Sequence, residues 1–155
     1  MNIEYIKGDA TKPVTPGNKI IVHICNDVGG WGKGFVLAIS KRWPEPEKSY
    51  REWFRSKINF ALGEMQLINV EGEIWVANLI GQHKLNKDED GNAPIRYAAV
   101  EHGLEKVAKF AKEIHASVHM PRIGCGLAGG TWDRIEPLIT KTLIAENVPV
   151  TVYDF

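Results

Sequence analysis

The chain has 155 residues, of which 44% are hydrophobic and 25% are charged, a balance typical of one soluble globular domain. Its 19 basic and 19 acidic residues cancel, which excludes a general electrostatic affinity for nucleic acid as the default function. Two cysteines are too few for a disulfide framework or a closed zinc site, and no apolar run approaches the length of a membrane span. We therefore expect a single domain over residues 1–155, monomeric, in a reducing cytoplasm and without membrane contact.

Strands and helices alternate along most of the chain. In its first half, the predicted elements are strands at residues 3–7 and 19–25, helices at 34–43 and 44–57, and a hairpin of strands at 64–70 and 73–80. In its second half, they are a polar loop at 83–93, a helix at 94–115, a strand at 117–121, a helix at 132–146 with Pro137 in its first turn, and a strand at 149–153. This order predicts a three-layer α/β/α fold with a mixed central sheet.

The most informative segment is residues 120–132, MPRIGCGLAGGTW. A strand ends there, four glycines follow within seven residues, and a helix begins. Glycine lets the backbone approach a ligand closely, and the amino end of a helix offers free N–H groups to an anion. The segment therefore predicts a phosphate-binding turn, although it matches neither the Walker pattern nor the dinucleotide fingerprint.

A second glycine-rich loop, residues 26–34 (NDVGGWGKG), follows the apolar strand KIIVHIC. In α/β sheets, ligands bind beyond the carboxyl ends of the strands, and both glycine loops are predicted to lie there. Two such turns at one edge can hold two parts of one phosphorylated ligand. The alternative is that both are ordinary turns of a domain without catalytic activity.

In the segments YIKGDA, CNDVGGWGKGF, PRIGCGLAGGTW and VTVYDF, taken in this order, the chain resembles the macro domain family, which binds ADP-ribose. The resemblance extends over nearly the whole chain. It is closest to the branch that contains yeast-type ADP-ribose-1″-phosphate phosphatases and terminal ADP-ribose protein glycohydrolases. It implies a three-layer macro domain and, as partner, ADP-ribose, a derivative of it or an ADP-ribosylated macromolecule.

The resemblance also implies which residues bind the ligand. Asp9 would accept a hydrogen bond from the adenine amine, unless it only caps a turn. Phe155, together with Tyr153, would flank the adenine ring. Trp31 would cover the distal ribose or shield a hydrophobic edge. The full implied set is Asp9, Ala10, Gly30, Trp31, Gly32, Gly34, Arg122, Ile123, Gly124, Cys125, Gly126, Leu127, Ala128, Gly129 and Phe155.

For catalysis, the resemblance implies His23, Asn26, Asp27 and Lys33. His23 or Asp27 would position or activate water, Asn26 would orient the distal ribose, and Lys33 would neutralise a terminal phosphate. Structural alternatives remain open for three of them: His23 as a satisfied core residue, Asn26 as a turn residue and Lys33 as a solvated lysine.

The chain departs from the terminal glycohydrolases at both of their catalytic residues. Gln82 stands where those enzymes have a lysine, and Ala128 stands where they have an aspartate. A glutamine cannot form a Schiff base with an opened ribose. The loop over residues 82–96 offers candidates of its own in His83, Asp90 and Arg96, or is simply a solvated excursion.

We therefore expect removal of phosphate from ADP-ribose-1″-phosphate. The alternatives are release of ADP-ribose from modified protein or nucleic acid, and binding of ADP-ribose without turnover. No group of residues has the spacing of metal ligands, and no cofactor is implied.

Overall fold

The computed structural model describes residues 1–155. It contains, in chain order, β1 (Glu4–Lys7), β2 (Lys19–Asn26), α1 (Phe35–Arg42), α2 (Glu45–Ser56), β3 (Met65–Glu71), β4 (Ile74–Gln82), α3 (Tyr97–Ile114), β5 (Ser117–Met120), α4 (Trp132–Thr142), a 3₁₀ turn (Ile144–Glu146) and β6 (Val150–Asp154). All the predicted strands and helices are present. None of the helices is both long and apolar enough to cross a membrane.

The six strands form one mixed sheet in the order β1-β6-β5-β2-β4-β3. The neighbours from β1 to β4 in this order pair in parallel, and β3 pairs antiparallel to β4 through the predicted hairpin. The carboxyl ends of β1, β6, β5, β2 and β4 therefore meet at one edge of the sheet, which we call the carboxyl edge.

Helices cover both faces of the sheet, as the apolar strand KIIVHIC predicts. Because successive side chains of a strand point to opposite faces, Ile21 and Val22 of β2 belong to different cores. Val22 lies in the larger core with Leu104 of α3, whereas Ile21 lies in the smaller core with Ile39 of α1 and Tyr50 of α2. The three-layer α/β/α prediction is confirmed.

Two helix predictions need correction. Helix α3 begins at Tyr97 rather than at residue 94, because the preceding residues pair with the end of β4: the His83 N–H donates to the Pro94 carbonyl (2.8 Å) and the Arg96 N–H donates to the Gly81 carbonyl (2.8 Å). Pro137 lies inside α4 rather than in its first turn.

Candidate functional site

Three loops lie at the carboxyl edge. Loop 1 (residues 27–34) joins β2 to α1, loop 2 (residues 121–131) joins β5 to α4, and the connecting loop (residues 83–96) joins β4 to α3. Residues 8–11 after β1 and Phe155 after β6 complete this edge. The two glycine loops thus lie at one edge, as the sequence predicts.

Loop 2 is folded so that glycine is required at particular places. The Gly129 N–H donates to the Gly126 carbonyl (3.0 Å), which closes a turn. Gly124 and Gly129 have φ angles of 73° and 79°, in the left-handed region that favours glycine. A Cβ at Gly130 would lie 2.5 Å from the Gly124 carbonyl oxygen, so this close backbone packing also needs glycine.

This fold leaves loop 2 rich in free backbone donors. Six of its N–H groups donate to no acceptor within the chain: those of Arg122, Ile123, Gly124, Gly126, Leu127 and Ala128. Helix α4 begins directly after the loop and adds the positive end of its dipole. Free N–H groups beside a helix amino end are suited to bind phosphate oxygens.

Loop 1 is held by the Asn26 side chain. Asn26 Oδ1 accepts hydrogen bonds from the N–H groups of Val28 (3.0 Å) and Gly30 (2.9 Å), and its Nδ2 donates to the Gly30 carbonyl (2.9 Å). The Tyr50 hydroxyl donates to the Asn26 carbonyl (2.6 Å) and to Oδ1 (2.9 Å). The expectation that Asn26 orients a ribose is therefore corrected, because its amide is engaged in folding the loop.

We expect Asn26→Ala to lower the free energy of unfolding by about 1–3 kcal/mol, because it leaves the part-buried N–H groups of Val28 and Gly30 without an acceptor. Urea denaturation measures this loss. The control is Asn69→Ala, since Asn69 bonds two carbonyl groups of the exposed β3–β4 turn, where water can replace it. Equal stability of the Asn26 and Asn69 variants would contradict this role for Asn26.

Apolar side chains bring the three loops close together. An ideal Cβ at Gly34 of loop 1 would lie 3.5 Å from Leu127 Cδ1 of loop 2, and one at Gly30 would lie 3.4 Å from Leu85 Cδ2 of the connecting loop. Leu127 and Leu85 are themselves largely exposed. Beyond Gly30, loop 1 has unused N–H groups at Trp31, Gly32, Lys33 and Gly34.

Asp9 forms a tight turn after β1. Its Oδ1 accepts hydrogen bonds from the Thr11 N–H (2.8 Å) and hydroxyl (2.7 Å), and its Oδ2 has no hydrogen bond within the chain. Partial burial acts to raise the pKa of Asp9, but the Thr11 hydrogen bonds and the Arg42 charge outweigh it and hold the pKa below its usual value. Asp9 therefore caps a turn and also presents an ionised, unused oxygen, and the neighbouring Ala10 is buried.

Tyr153 of β6 and Phe155, which follows this strand, differ in exposure. Phe155 is fully exposed. Tyr153 is buried, and its hydroxyl is hydrogen-bonded to His119 Nδ1 (2.7 Å) inside the protein. The expectation for Tyr153 is corrected, because its ring is part of the core. Arg122 of loop 2 is paired with Asp154 through two hydrogen bonds (2.7 and 3.1 Å), so its side chain is already occupied.

His23 does not reach the carboxyl edge. Its side chain is buried, and the Trp31 ring covers it with a centroid distance of 5.3 Å. Asn78 Nδ2 donates to the Pro46 carbonyl (3.1 Å), so Asn78 Oδ1 is the acceptor for His23 Nε2 (2.6 Å). His23 Nδ1 is left buried without a partner. Burial lowers the pKa of His23 to about 4. The expectation of a catalytic His23 is corrected, and the core alternative fits.

Trp31 and Cys25 are also core residues. The indole N–H of Trp31 donates to Ser40 Oγ (2.7 Å), which fixes the ring over His23 rather than over a ligand. Burial raises the pKa of the Cys25 thiol, so Cys25 stays protonated. The half-buried Cys125 of loop 2 is likewise a free thiol whose pKa is raised by burial. Neither cysteine is suited to thiolate chemistry.

One polar pair at the edge was missed by the sequence analysis. Asp27 Oδ2 lies 2.6 Å from His83 Nδ1, and Asp27 Oδ1 accepts a hydrogen bond from the Lys84 N–H (2.8 Å). The sequence analysis named Asp27 as a catalytic candidate and His83 as one of several candidates in the polar loop, but it did not predict that the two residues are in contact. The available signal was that each follows one of two strands that can be neighbours in a parallel sheet. Lys33, on the same loop as Asp27, is exposed and forms no ion pair.

Comparison with solved structures gives matches over the full chain, among them the following two. A protein of unknown function from Bacteroides thetaiotaomicron is 57% identical, with a TM-score of 0.99 and coverage of 100% of this chain and 99% of that one. A macrodomain protein from Streptomyces coelicolor is 54% identical, with a TM-score of 0.88 and coverage of 99% of both chains. No family model matches the chain.

Among curated proteins, the mouse Chromodomain-helicase-DNA-binding protein 1-like is 34% identical over 99% of this chain, which spans only 18% of that protein's length. An ADP-ribose 1″-phosphate phosphatase from Lodderomyces elongisporus is 25% identical over 91% of this chain and 92% of its own length. A DNA ADP-ribosyl glycohydrolase from Mycobacterium bovis is 28% identical over 97% of this chain and 42% of its own length.

Proposed function

This chain belongs to the macrodomain family, and we propose that it binds ADP-ribose along the carboxyl edge and hydrolyses a bond at the distal ribose. The observation that carries the proposal is the row of free N–H groups in loop 2 beside the start of α4, which suits a diphosphate. Residues 1–155 would form one macrodomain for this purpose.

The order of the strands supports one direction for the ligand. Asp9 follows β1 at one side of the sheet, loop 2 follows β5 near the middle, and loop 1 and the connecting loop follow β2 and β4. From β1 to β4 there are four strand spacings, ~19 Å in total. Adenine would therefore lie near Asp9, the diphosphate on loop 2, and the distal ribose between loop 1 and His83.

Removal of phosphate from ADP-ribose-1″-phosphate is the reaction that we propose. Support comes from the phosphatase of Lodderomyces elongisporus, which aligns over nearly its whole length. The unpaired Lys33 and the free N–H groups of loop 1 would stabilise charge on the terminal phosphate.

Two alternatives use the same binding mode. Release of ADP-ribose from a modified macromolecule is supported by the likeness to a DNA ADP-ribosyl glycohydrolase, although the lysine and aspartate of terminal glycohydrolases are replaced here by Gln82 and Ala128. Binding without turnover is supported by the same replacements. It is also supported by the mouse relative, in which the matching segment is a small part of the protein.

A turnover assay on ADP-ribose-1″-phosphate, ADP-ribosylated protein and ADP-ribosylated DNA separates these functions. Release of inorganic phosphate from the first substrate supports the phosphatase, and release of ADP-ribose from either of the others supports a glycohydrolase. Binding of ADP-ribose in calorimetry with no turnover of any substrate would leave only the binding function. Absence of ADP-ribose binding at millimolar concentration would contradict the whole proposal.

We expect Asp9→Asn to weaken ADP-ribose binding about 5- to 150-fold, because it replaces the unused carboxylate oxygen that would accept the adenine amine, a loss of about 1–3 kcal/mol. The asparagine oxygen can still cap the Thr11 turn, so the fold should be unaffected. Calorimetry measures the affinity, and Asp90→Asn, in the exposed connecting loop, is the matched control. If folded Asp9→Asn binds ADP-ribose with wild-type affinity, Asp9 only caps the turn after β1 and does not bind adenine.

A further inference from the structure

The Asp27–His83 pair joins the ends of two neighbouring parallel strands. Asp27 follows β2 and His83 follows β4, and the pair is held by the 2.6 Å contact between Oδ2 and Nδ1. The Lys84 N–H fixes the other carboxylate oxygen. The Asp27 side chain is 17% exposed and the His83 side chain is 40% exposed. His83 Nε2 has no hydrogen bond within the chain, so it is free to meet solvent or ligand.

The other candidates at this edge lack what a general base needs. His23 is buried behind Trp31, the Asn26 amide is committed to loop 1, and Lys33 is exposed with no carboxylate to orient it. Of the remaining histidines, His102 lies within α3, His115 ends that helix, and His119 is buried within β5. His83 is thus the one histidine that is accessible at the carboxyl edge and paired with a carboxylate.

We propose that His83 is the general base of the hydrolysis and that Asp27 is the residue that positions it; this rests on the proposed function. The Asp27 carboxylate accepts the hydrogen on Nδ1, which fixes the tautomer with a free electron pair on Nε2. A carboxylate that orients an imidazole in this way is a recurring device of hydrolases.

The step balances with water as the only co-reactant. His83 Nε2 takes a proton from water, and the water oxygen forms a bond to phosphorus of the 1″-phosphate. The bond between phosphorus and the ribose 1″-oxygen breaks, and its electron pair remains on that oxygen. The imidazolium then gives its proton to the 1″-oxygen, which yields ADP-ribose and inorganic phosphate and restores neutral His83.

The pair also links loop 1 to the connecting loop, so the experiment must separate catalysis from anchoring. His83→Asn places an amide N–H near the former Nδ1 and can keep the bond to Asp27, but it has no base. Asp27→Asn can keep the bond from Lys84, but its amide donates to Nδ1 and moves the histidine proton to Nε2. Both variants preserve the link and remove the free electron pair.

We expect both variants to lower kcat for ADP-ribose-1″-phosphate about 100- to 10,000-fold, while the Kd for ADP-ribose stays at its wild-type value. Free imidazole should restore part of the activity of His83→Asn but not of Asp27→Asn. The control is His115→Asn, at the opposite end of α3, where the positive φ of 55° also suits asparagine. Its kcat should equal that of the wild type.

Nitrogen-15 NMR of His83 gives a readout that does not depend on activity. The wild type should carry its proton on Nδ1, and Asp27→Asn should carry it on Nε2. A wild-type proton on Nε2, or full activity of His83→Asn in an enzyme that hydrolyses the substrate, would overturn this inference and leave the proposed function intact. Absence of wild-type turnover on every substrate would instead remove the proposed hydrolase function, and the role of His83 with it.

Discussion

Gly126→Val is expected to abolish measurable ADP-ribose binding while the protein stays folded. An ideal Cβ at Gly126 meets no atom of the chain within 4 Å, and its φ is not in the left-handed region. The valine side chain would instead occupy the space in front of the free N–H groups of loop 2. Loss of two charge-assisted hydrogen bonds to phosphate would cost about 3–6 kcal/mol, roughly 100-fold or more in Kd.

Neighbouring glycines provide the comparison for this experiment. Gly126→Ala, with a smaller side chain, should lose less affinity, whereas Gly130→Ala should damage the fold because its Cβ would collide with the Gly124 carbonyl. Calorimetry gives the affinity, and the thermal unfolding midpoint reports the fold. Wild-type affinity in Gly126→Val would show that loop 2 does not hold the diphosphate.

The fold could be predicted because its signals are local. Hydrophobic periodicity located α3, and the Glu71-Gly72 turn located the β3–β4 hairpin. The sequence analysis started α3 too early because hydrophobic periodicity does not report tertiary contacts. Residues 94–96 pair with the end of β4 before the helix begins. In loop 2 the left-handed glycines are Gly124 and Gly129, and the sequence alone does not single them out, because the turn geometry depends on how the whole loop closes.

The site was predictable only as far as the loops that form it. Glycine-rich segments after strands located loop 1 and loop 2, but the direction of individual side chains depends on tertiary packing. His23 lies on the face of β2 covered by Trp31, and the Asn26 amide turns back to bind its own loop. Asp27 and His83 are 56 residues apart, and only the pairing of β2 with β4 brings them together.

Two buried histidines make the stability of the fold depend on pH. Burial lowers the pKa of His23 to about 4, and burial, with the Lys19 charge as a smaller cause, lowers the pKa of His119 to about 4. Both side chains are almost fully inaccessible, and both would titrate near 6.5 in the unfolded chain. Below pH 6.5 the unfolded state therefore binds more protons than the folded state, so acid favours unfolding.

We expect the free energy of unfolding to fall by about 2 kcal/mol per histidine, ~4 kcal/mol in total, between pH 7 and pH 5. The stabilisation is complete above pH 6.5 and is lost as the pH falls towards 4. Asp9, Asp88 and Asp154 have lowered pKa values, so their stabilisation is lost only at lower pH. Urea denaturation at each pH measures the effect, and His119→Gln should halve it. A free energy of unfolding that stays constant from pH 7 to pH 5 would contradict neutral, buried His23 and His119.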